Sequence, residues 1–187
     1  MADELVDVCD EDDNLLPSTI MKSLAHKKGV WHRAAHIWIY NSNGEILLQL
    51  RSKSKSVFPC LWDISAAGHV GAGEEPITAG IRELNEELGI TVKKENLHFF
   101  TIKKVQTHYQ KLTINEFYHV YLLLFNCDVK KLKLQNEEVQ STQFLSLKKV
   151  EEELHFHPQH YVPHGEYWFE VLKEVKKKLK HSPVIHP

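Results

Sequence analysis

The stretch Gly68-His69-Val70-Gly71-Ala72-Gly73-Glu74-Glu75-Pro76-Ile77-Thr78-Ala79-Gly80-Ile81-Arg82-Glu83-Leu84-Asn85-Glu86-Glu87-Leu88-Gly89-Ile90 decides how the rest of the chain is read. Pro76 suits a first helical position and Gly89 the residue just past a helix end, so a helix is expected over residues 76–88. At about 100° per residue, Glu83, Glu86 and Glu87 fall within roughly one third of its circumference. Ile77, Ile81, Leu84 and Leu88 occupy another stripe. One face packs and another collects negative charge. Ahead of the helix, Gly68, Gly71 and Gly73 let backbone approach a ligand or metal, although a tight strand-to-helix turn explains the same glycines.

Three carboxylates spaced i, i+3 and i+4 repel by a few tenths of a kcal/mol per pair unless something compensates. A solvated acidic face, with Arg82 pairing only to Glu86, is one reading. A bound cation is the other. Oxygen-only ligands suit hard Mg²⁺ or Mn²⁺, which share their shell with water and substrate phosphates. Such an ion would neutralise phosphate and orient a water, while a further carboxylate takes that water's proton. The chemistry expected is therefore that of a phosphate ester or anhydride.

Outward from this segment, the chain of 187 residues with 42% hydrophobic content is expected to bury one substantial core. We divide it into an N-terminal extension, 1–30, packed on a domain, 31–187. The extension holds a β-prone run at 5–9, the acidic cluster around Asp10 to Asp13, and an expected helix over 18–28. Apolar runs 34–40 and 45–50 flank Asn43-Gly44 and predict a hairpin. Strands are expected over 61–67, 97–105, 114–125 and 141–147, the third buried on both faces. Helices are expected over 146–154, with Ser146 as cap, and over 166–180. A formal net charge of −2 argues against nucleic acid as partner, and no apolar run has the length of a membrane span or signal peptide. Cys9, Cys60 and Cys127 are odd in number and widely spaced, as reduced intracellular thiols are. The reading is a cytoplasmic protein acting on a small molecule, with no nucleic acid and no membrane.

Gly68, Glu74, Arg82, Glu83, Leu84, Glu86, Glu87, Gly89 and Ile90 together resemble the Nudix box, G-x5-E-x7-R-E-U-x-E-E-x-G-U with U apolar. The resemblance implies an α/β (α+β) fold, the Nudix α/β/α sandwich around a central mixed β-sheet. It also implies Mg²⁺-dependent hydrolysis of a diphosphate linkage in a nucleoside diphosphate derivative or related organic diphosphate. Glu83, Glu86, Glu87 and the Gly68 carbonyl would serve the metal, with Glu83 as ligand or base and Arg82 holding a glutamate in place. Nudix proteins are frequently dimers, so the resemblance leaves a homodimer open; no residue identifies an interface.

The flanks, Trp31-His32-Arg33-Ala34, Arg51 with Lys55, Phe58-Pro59, and Trp62 through Gly68-His69, are similar to the isopentenyl-diphosphate isomerase branch of Nudix proteins. That likeness implies that Arg51 and Lys55 hold the substrate diphosphate, with His69 beside it, unless this basic cluster is simply a solvated loop. It also makes His32, His69 and Glu116 correspond to an isomerase metal site, but Ile114 stands where a second glutamate is expected. The isomerase cysteine ahead of the Gly-His pair is Ala67 here, which removes a proton-transfer group. A hydrolase is thus preferred to an isomerase or to a non-catalytic ligand-sensing module. Glu137 and Glu138 are candidates for the further glutamate that Nudix hydrolases place after the box, with an exposed acidic turn as the alternative. The histidines at 155, 157, 160 and 164 are read as an irregular loop near the substrate mouth rather than as a metal site, because they lack fixed spacing. Trp31, Trp38 and Trp62 are read as core residues.

Overall fold

A computed structural model describes residues 3–181. In chain order the elements are β1 (Leu5–Cys9), β2 (Leu15–Met21), α1 (Lys22–Lys28), β3 (His32–Tyr40), β4 (Glu45–Arg51), β5 (Trp62–Asp63), β6 (Ala66–His69), α2 (Pro76–Leu88), β7 (His98–Tyr109), β8 (Leu112–Leu124), β9 (Val139–Ser146), α3 (Leu147–Phe156) and α4 (Glu166–His181). β1 and β2 form their own antiparallel pair. The main sheet runs β5-β4-β3-β8-β7, with β6 added on β3 and β9 on β4. It is mixed, because β3 and β8 are parallel, His32 opposite Glu116, while its other ladders are antiparallel.

Alternate residues of the central strands feed two cores, as the period of two requires. Trp38, Ile46, Leu48, Val120 and Leu122 pack with Trp168, Val171, Leu172 and Val175 of α4. On the opposite face Ile37, Ile39, Leu47 and Leu123 pack with Ala79, Leu84 and Leu88 of α2. β8 is buried on both faces from Ile114 to Leu123, as its unbroken apolar run implied. The result is the expected α/β/α sandwich around a mixed sheet. The hairpin between β3 and β4 closes through Gly44 at φ 76°, while the Asn41 side chain accepts the amides of Asn43 and Glu45 at 3.0 Å. No helix among the described residues is long and apolar enough to cross a membrane.

Two elements differ from the sequence expectation. The helix expected over 18–28 starts only at Lys22, because Leu15–Met21 pairs with β1 instead. Pro17 and the β-branched Thr19 and Ile20 disfavour helix there, and β1 supplies a ladder. The single strand expected over 61–67 is two short strands. At the break, Ser65 Oγ donates to the Leu47 carbonyl at 2.6 Å and accepts the Ile39 amide at 2.7 Å, so a side chain replaces the ladder.

α2 has the bounds that Pro76 and Gly89 dictate. Gly89 adopts φ 68°, and its amide bonds the carbonyls of Leu84 and Asn85. A Cβ there would lie 2.8 Å from Lys133 Cβ. Gly89→Ala is therefore expected to destabilise the fold by about 1–2 kcal/mol, read as a lower midpoint in denaturant unfolding. An unchanged midpoint would show that the cap is not strained by a side chain.

Candidate active site

The box helix does not keep its packing and acidic faces apart as the sequence led us to expect. Glu83 and Glu87 are buried beside Leu84 and Leu88, while Glu86 stays exposed. What admits Glu83 is the missing side chain of Gly68, since a Cβ there would sit 2.0 Å from Glu83 Cδ. Arg82 then fans across the loop. Its guanidinium donates to Glu74 at 3.0 and 3.1 Å, to Glu83 at 2.6 Å, to Glu86 at 3.2 Å and to the His69 carbonyl at 3.0 Å. Glu87 Oε2 accepts the Ala67 amide at 3.2 Å and Gln49 Nε2 at 3.3 Å.

Glu138, buried just before β9, lies close enough to this group to raise Glu87. One of its oxygens is held by the Lys55 ammonium; the other, Oε1, is buried without a partner. Glu137 is exposed, and only its carbonyl is engaged, by Ser54 Oγ at 2.9 Å. Burial raises the Glu87 carboxyl to about 8, and Glu83 adds to this while Lys55 opposes it. Glu83 is raised too, by burial, against the pull of Arg82. An oxygen-only donor set, a buried Glu87 raised for want of a full countercharge, and a buried unpartnered oxygen together fit a hard divalent cation such as Mg²⁺ or Mn²⁺.

A second group lies across β6. Among the described residues, His26, His32, His69 and Glu116 bring one ligand atom each to within 4.8 Å of one another. Three imidazoles converge on Glu116 Oε1, at 3.0 Å from His69, 3.3 Å from His32 and 3.4 Å from His26. The last two are angled too poorly to count as hydrogen bonds, which leaves both Nε2 atoms buried and unpartnered. His32 Nδ1 donates to the Val30 carbonyl at 2.9 Å, and His69 Nδ1 faces Glu4 at 3.2 Å. Those contacts turn the remaining nitrogens inward, the arrangement metal-ligating histidines adopt. Although burial opposes it, the three histidines hold Glu116 well below the usual carboxylate range. This nitrogen-rich set suits a transition metal better than Mg²⁺.

A cavity of about 340 Å³ is lined by His26, His69 and Glu116 of the second group and by Gly68 and Lys55, which contact the carboxylates of the first; Arg51 and His164 line it too. Arg51 has its guanidinium committed to Asp63 at 2.8 Å and to the carbonyls of Val57 and Phe58 at 2.8 to 3.2 Å. It therefore shapes the 57–58 loop as well as facing the cavity. Of the histidines at 155, 157, 160 and 164, His164 alone lines it; His155, His157 and His160 are exposed. Trp38 is fully buried, and Trp62 packs against the same core, but Trp31 stands at its margin, 5.0 Å from Phe117 and under Lys104. All three cysteines are free.

Sequence reasoning missed His26. It is separated from His32 by a helix end and a turn, and its only signal was a second histidine within a few residues. With divalent ions chelated, Glu87 holds its proton when folded between its ordinary 4.5 and about 8, so stability falls as pH rises through that interval. Glu87→Gln should therefore stabilise the chelated protein at pH 8, on the order of 1–3 kcal/mol, with the gain vanishing near pH 4. Thermal melts in chelator at the two pH values check this. Identical shifts at both would sink it.

The NUDIX domain family model matches residues 30–165. Nudix hydrolase 3 of Arabidopsis thaliana is 33% identical over 93% of the chain, which spans only 24% of that relative's length. An isopentenyl-diphosphate Delta-isomerase of Serratia proteamaculans is 36% identical, covering 66% of this chain and 68% of its own. A crystal structure from Deinococcus radiodurans superposes with a TM-score of 0.67 at 21% identity, over 92% of this chain and 99% of the other. That likeness is one of fold. With the family model covering most of its length, the chain belongs to the Nudix hydrolase family.

Proposed function

We propose that the protein hydrolyses a diphosphate linkage in a nucleoside diphosphate derivative or a related organic diphosphate, using Mg²⁺ or Mn²⁺. The observation that carries this is the burial of Glu83 and Glu87 behind Gly68, which lines the cavity, together with the buried unpartnered oxygen of Glu138, whose partner Lys55 also lines it. Glu83, Glu87, Glu138 and the Gly68 carbonyl would hold the ion, which supplies charge neutralisation at the phosphates and acidifies a bound water. Arg82 fixes Glu83 and Glu86 in place. Glu86, exposed and next to that guanidinium, is available to accept the water's proton. Lys55, which lines the cavity while holding Glu138, would be the cation nearest the substrate phosphate, and Arg51 keeps the loop behind it in position.

The histidine cluster favours one other reading, the isomerase, whose likeness includes a histidine and glutamate metal site. Position 67 decides against it. A methyl group there neither donates nor accepts a proton, and Cys60 is exposed on a different loop. The histidine cluster is then a second cation site beside the hydrolytic one, reached from the same cavity.

Purified protein with Mg²⁺ should convert at least one member of a panel of nucleotides, nucleotide sugars, cofactors and isoprenoid diphosphates into phosphate-cleaved products identified by mass. Chelator should abolish turnover. Glu86→Gln should lower kcat/KM at least about a hundredfold, the scale of losing a proton acceptor. Dimethylallyl diphosphate formed from the isopentenyl isomer, or tight binding across the panel without turnover, would overturn the proposal.

A further inference from the structure

The cavity lining also carries two imidazoles, His36 and His164, whose hydrogen-bond partners can be followed outward. Trp38 Nε1, a donor only, gives its proton to Tyr167 Oη at 2.7 Å. Tyr167 is buried and its own proton is left for His36 Nδ1, 3.2 Å away. Burial, with His164 nearby, pushes His36 down to about 3, so the ring is neutral and its proton sits on Nε2. That N–H has no partner among the described residues. On the facing wall, His164 Nε2 lies 2.8 Å from Asp63 Oδ1. Asp63 also accepts from Arg51, and although burial opposes it, His164 and Arg51 keep it ionised. An ionised carboxylate only accepts, so Nε2 of His164 carries a proton, which leaves Nδ1 as the second polar atom of the ring. It too has no partner among the described residues.

The two rings are 5.9 Å apart between centroids and nearly perpendicular. Tyr118 backs His36 at 3.8 Å, and His36 is the ladder partner of Ala67. His36 Nε2–H and His164 Nδ1 thus flank the cavity, His36 lying opposite the β6 residue next to Gly68. A hydroxyl both accepts and donates, so it can pair with both nitrogens. A hydrocarbon leaves both nitrogens dehydrated and unpaired, which is what makes a hydrogen-bonding pocket reject the deoxy analogue strongly.

We propose that His36 and His164 read a hydroxyl close to the diphosphate on the non-phosphate half of the substrate, selecting glycosyl, ribosyl or polyol diphosphates over hydrocarbon ones. This rests on the hydrolytic reading only in placing the diphosphate at the Gly68 end. Tyr167 acts as a positioning residue, because its proton fixes the His36 tautomer.

The test uses a matched pair, 2,3-dihydroxybutyl diphosphate and butyl diphosphate. Turnover is measured with Mg²⁺, and binding by calorimetry with Ca²⁺. Wild-type protein is expected to prefer the dihydroxy compound at least about thirtyfold, a fraction of what such pockets achieve. His164→Phe should reduce that preference to about threefold or less by weakening the dihydroxy compound alone. Tyr167→Phe, which keeps the ring and its packing, should shrink it in the same direction. Equal wild-type affinity for the pair, or a parallel loss for both compounds in His164→Phe, would overturn the proposal. If neither compound is cleaved but the dihydroxy compound still binds preferentially, the hydrolytic reading fails and this one stands.

Discussion

The burial of two carboxylates from one helix against a β-strand is the constraint around which the rest of this molecule is arranged. An unpaired ionised carboxylate in an apolar interior costs several kcal/mol, and the group protonates or finds a cation instead. Glu83 finds Arg82, which also ties down Glu74, Glu86 and the His69 carbonyl. Glu87 finds no full countercharge: a backbone amide, an amide side chain and the more distant field of Lys55 leave it protonated up to about 8. A helix that merely packed would have apolar residues at these two positions. Their retention makes sense where a cation repays the cost, and the dry oxygen of Glu138 is the same imbalance seen from the neighbouring loop.

The pleat of β6 explains how two donor sets of different chemistry coexist a few ångströms apart. Successive residues of a strand face opposite sides. Ala66 packs in the core beneath α2, and Gly68 yields its place on that side to Glu83. Ala67 and His69 face the other way, toward the cavity and the histidine cluster. A one-residue slip of this strand would exchange the oxygen-rich and nitrogen-rich sides. Ser65 makes such a slip costly, because its hydroxyl bridges β3 and β4 just before the strand begins.

What the sequence revealed and what it hid follow the same physical division. α2 was readable to the residue because Pro76 and Gly89 act through local backbone rules, and β8 because thirteen residues of nearly continuous apolar character have few other fates. The start of α1 was not, since residues 15–21 are taken up by pairing with β1, a partner distant enough that no helix-start signal marks the boundary. Glu137 and Glu138 are identical to any reading of composition. Only the register of β9 on β4, shifted at Arg51, turns one inward and the other to solvent. His26 joins His32, His69 and Glu116 through contacts spanning up to ninety positions, which no local pattern encodes. The inward turn of Glu83 was hidden for another reason: helix geometry placed the carboxylates on one face but could not say that the face meets a glycine.

The N-terminal extension belongs to this account although the family model begins only at residue 30. Its first strand reaches the glycine-rich loop directly: Ala72 donates to the Leu5 carbonyl at 2.9 Å, Gly73 to Asp7 at 2.7 Å, and Val6 bridges Gly71. The loop thus borrows its order from a segment outside the motif. Glu4 meanwhile meets both Lys22 and His69, and although burial opposes it, those cations hold it at about 2. His69 is therefore oriented from one side by the extension and from the other by Glu116, and α1 contributes His26 to the same cluster. A backbone loop rich in glycine is too mobile to hold α2 at a fixed distance by itself. The extension supplies that fixity, so the geometry at Gly68 depends on residues more than sixty positions earlier in the chain.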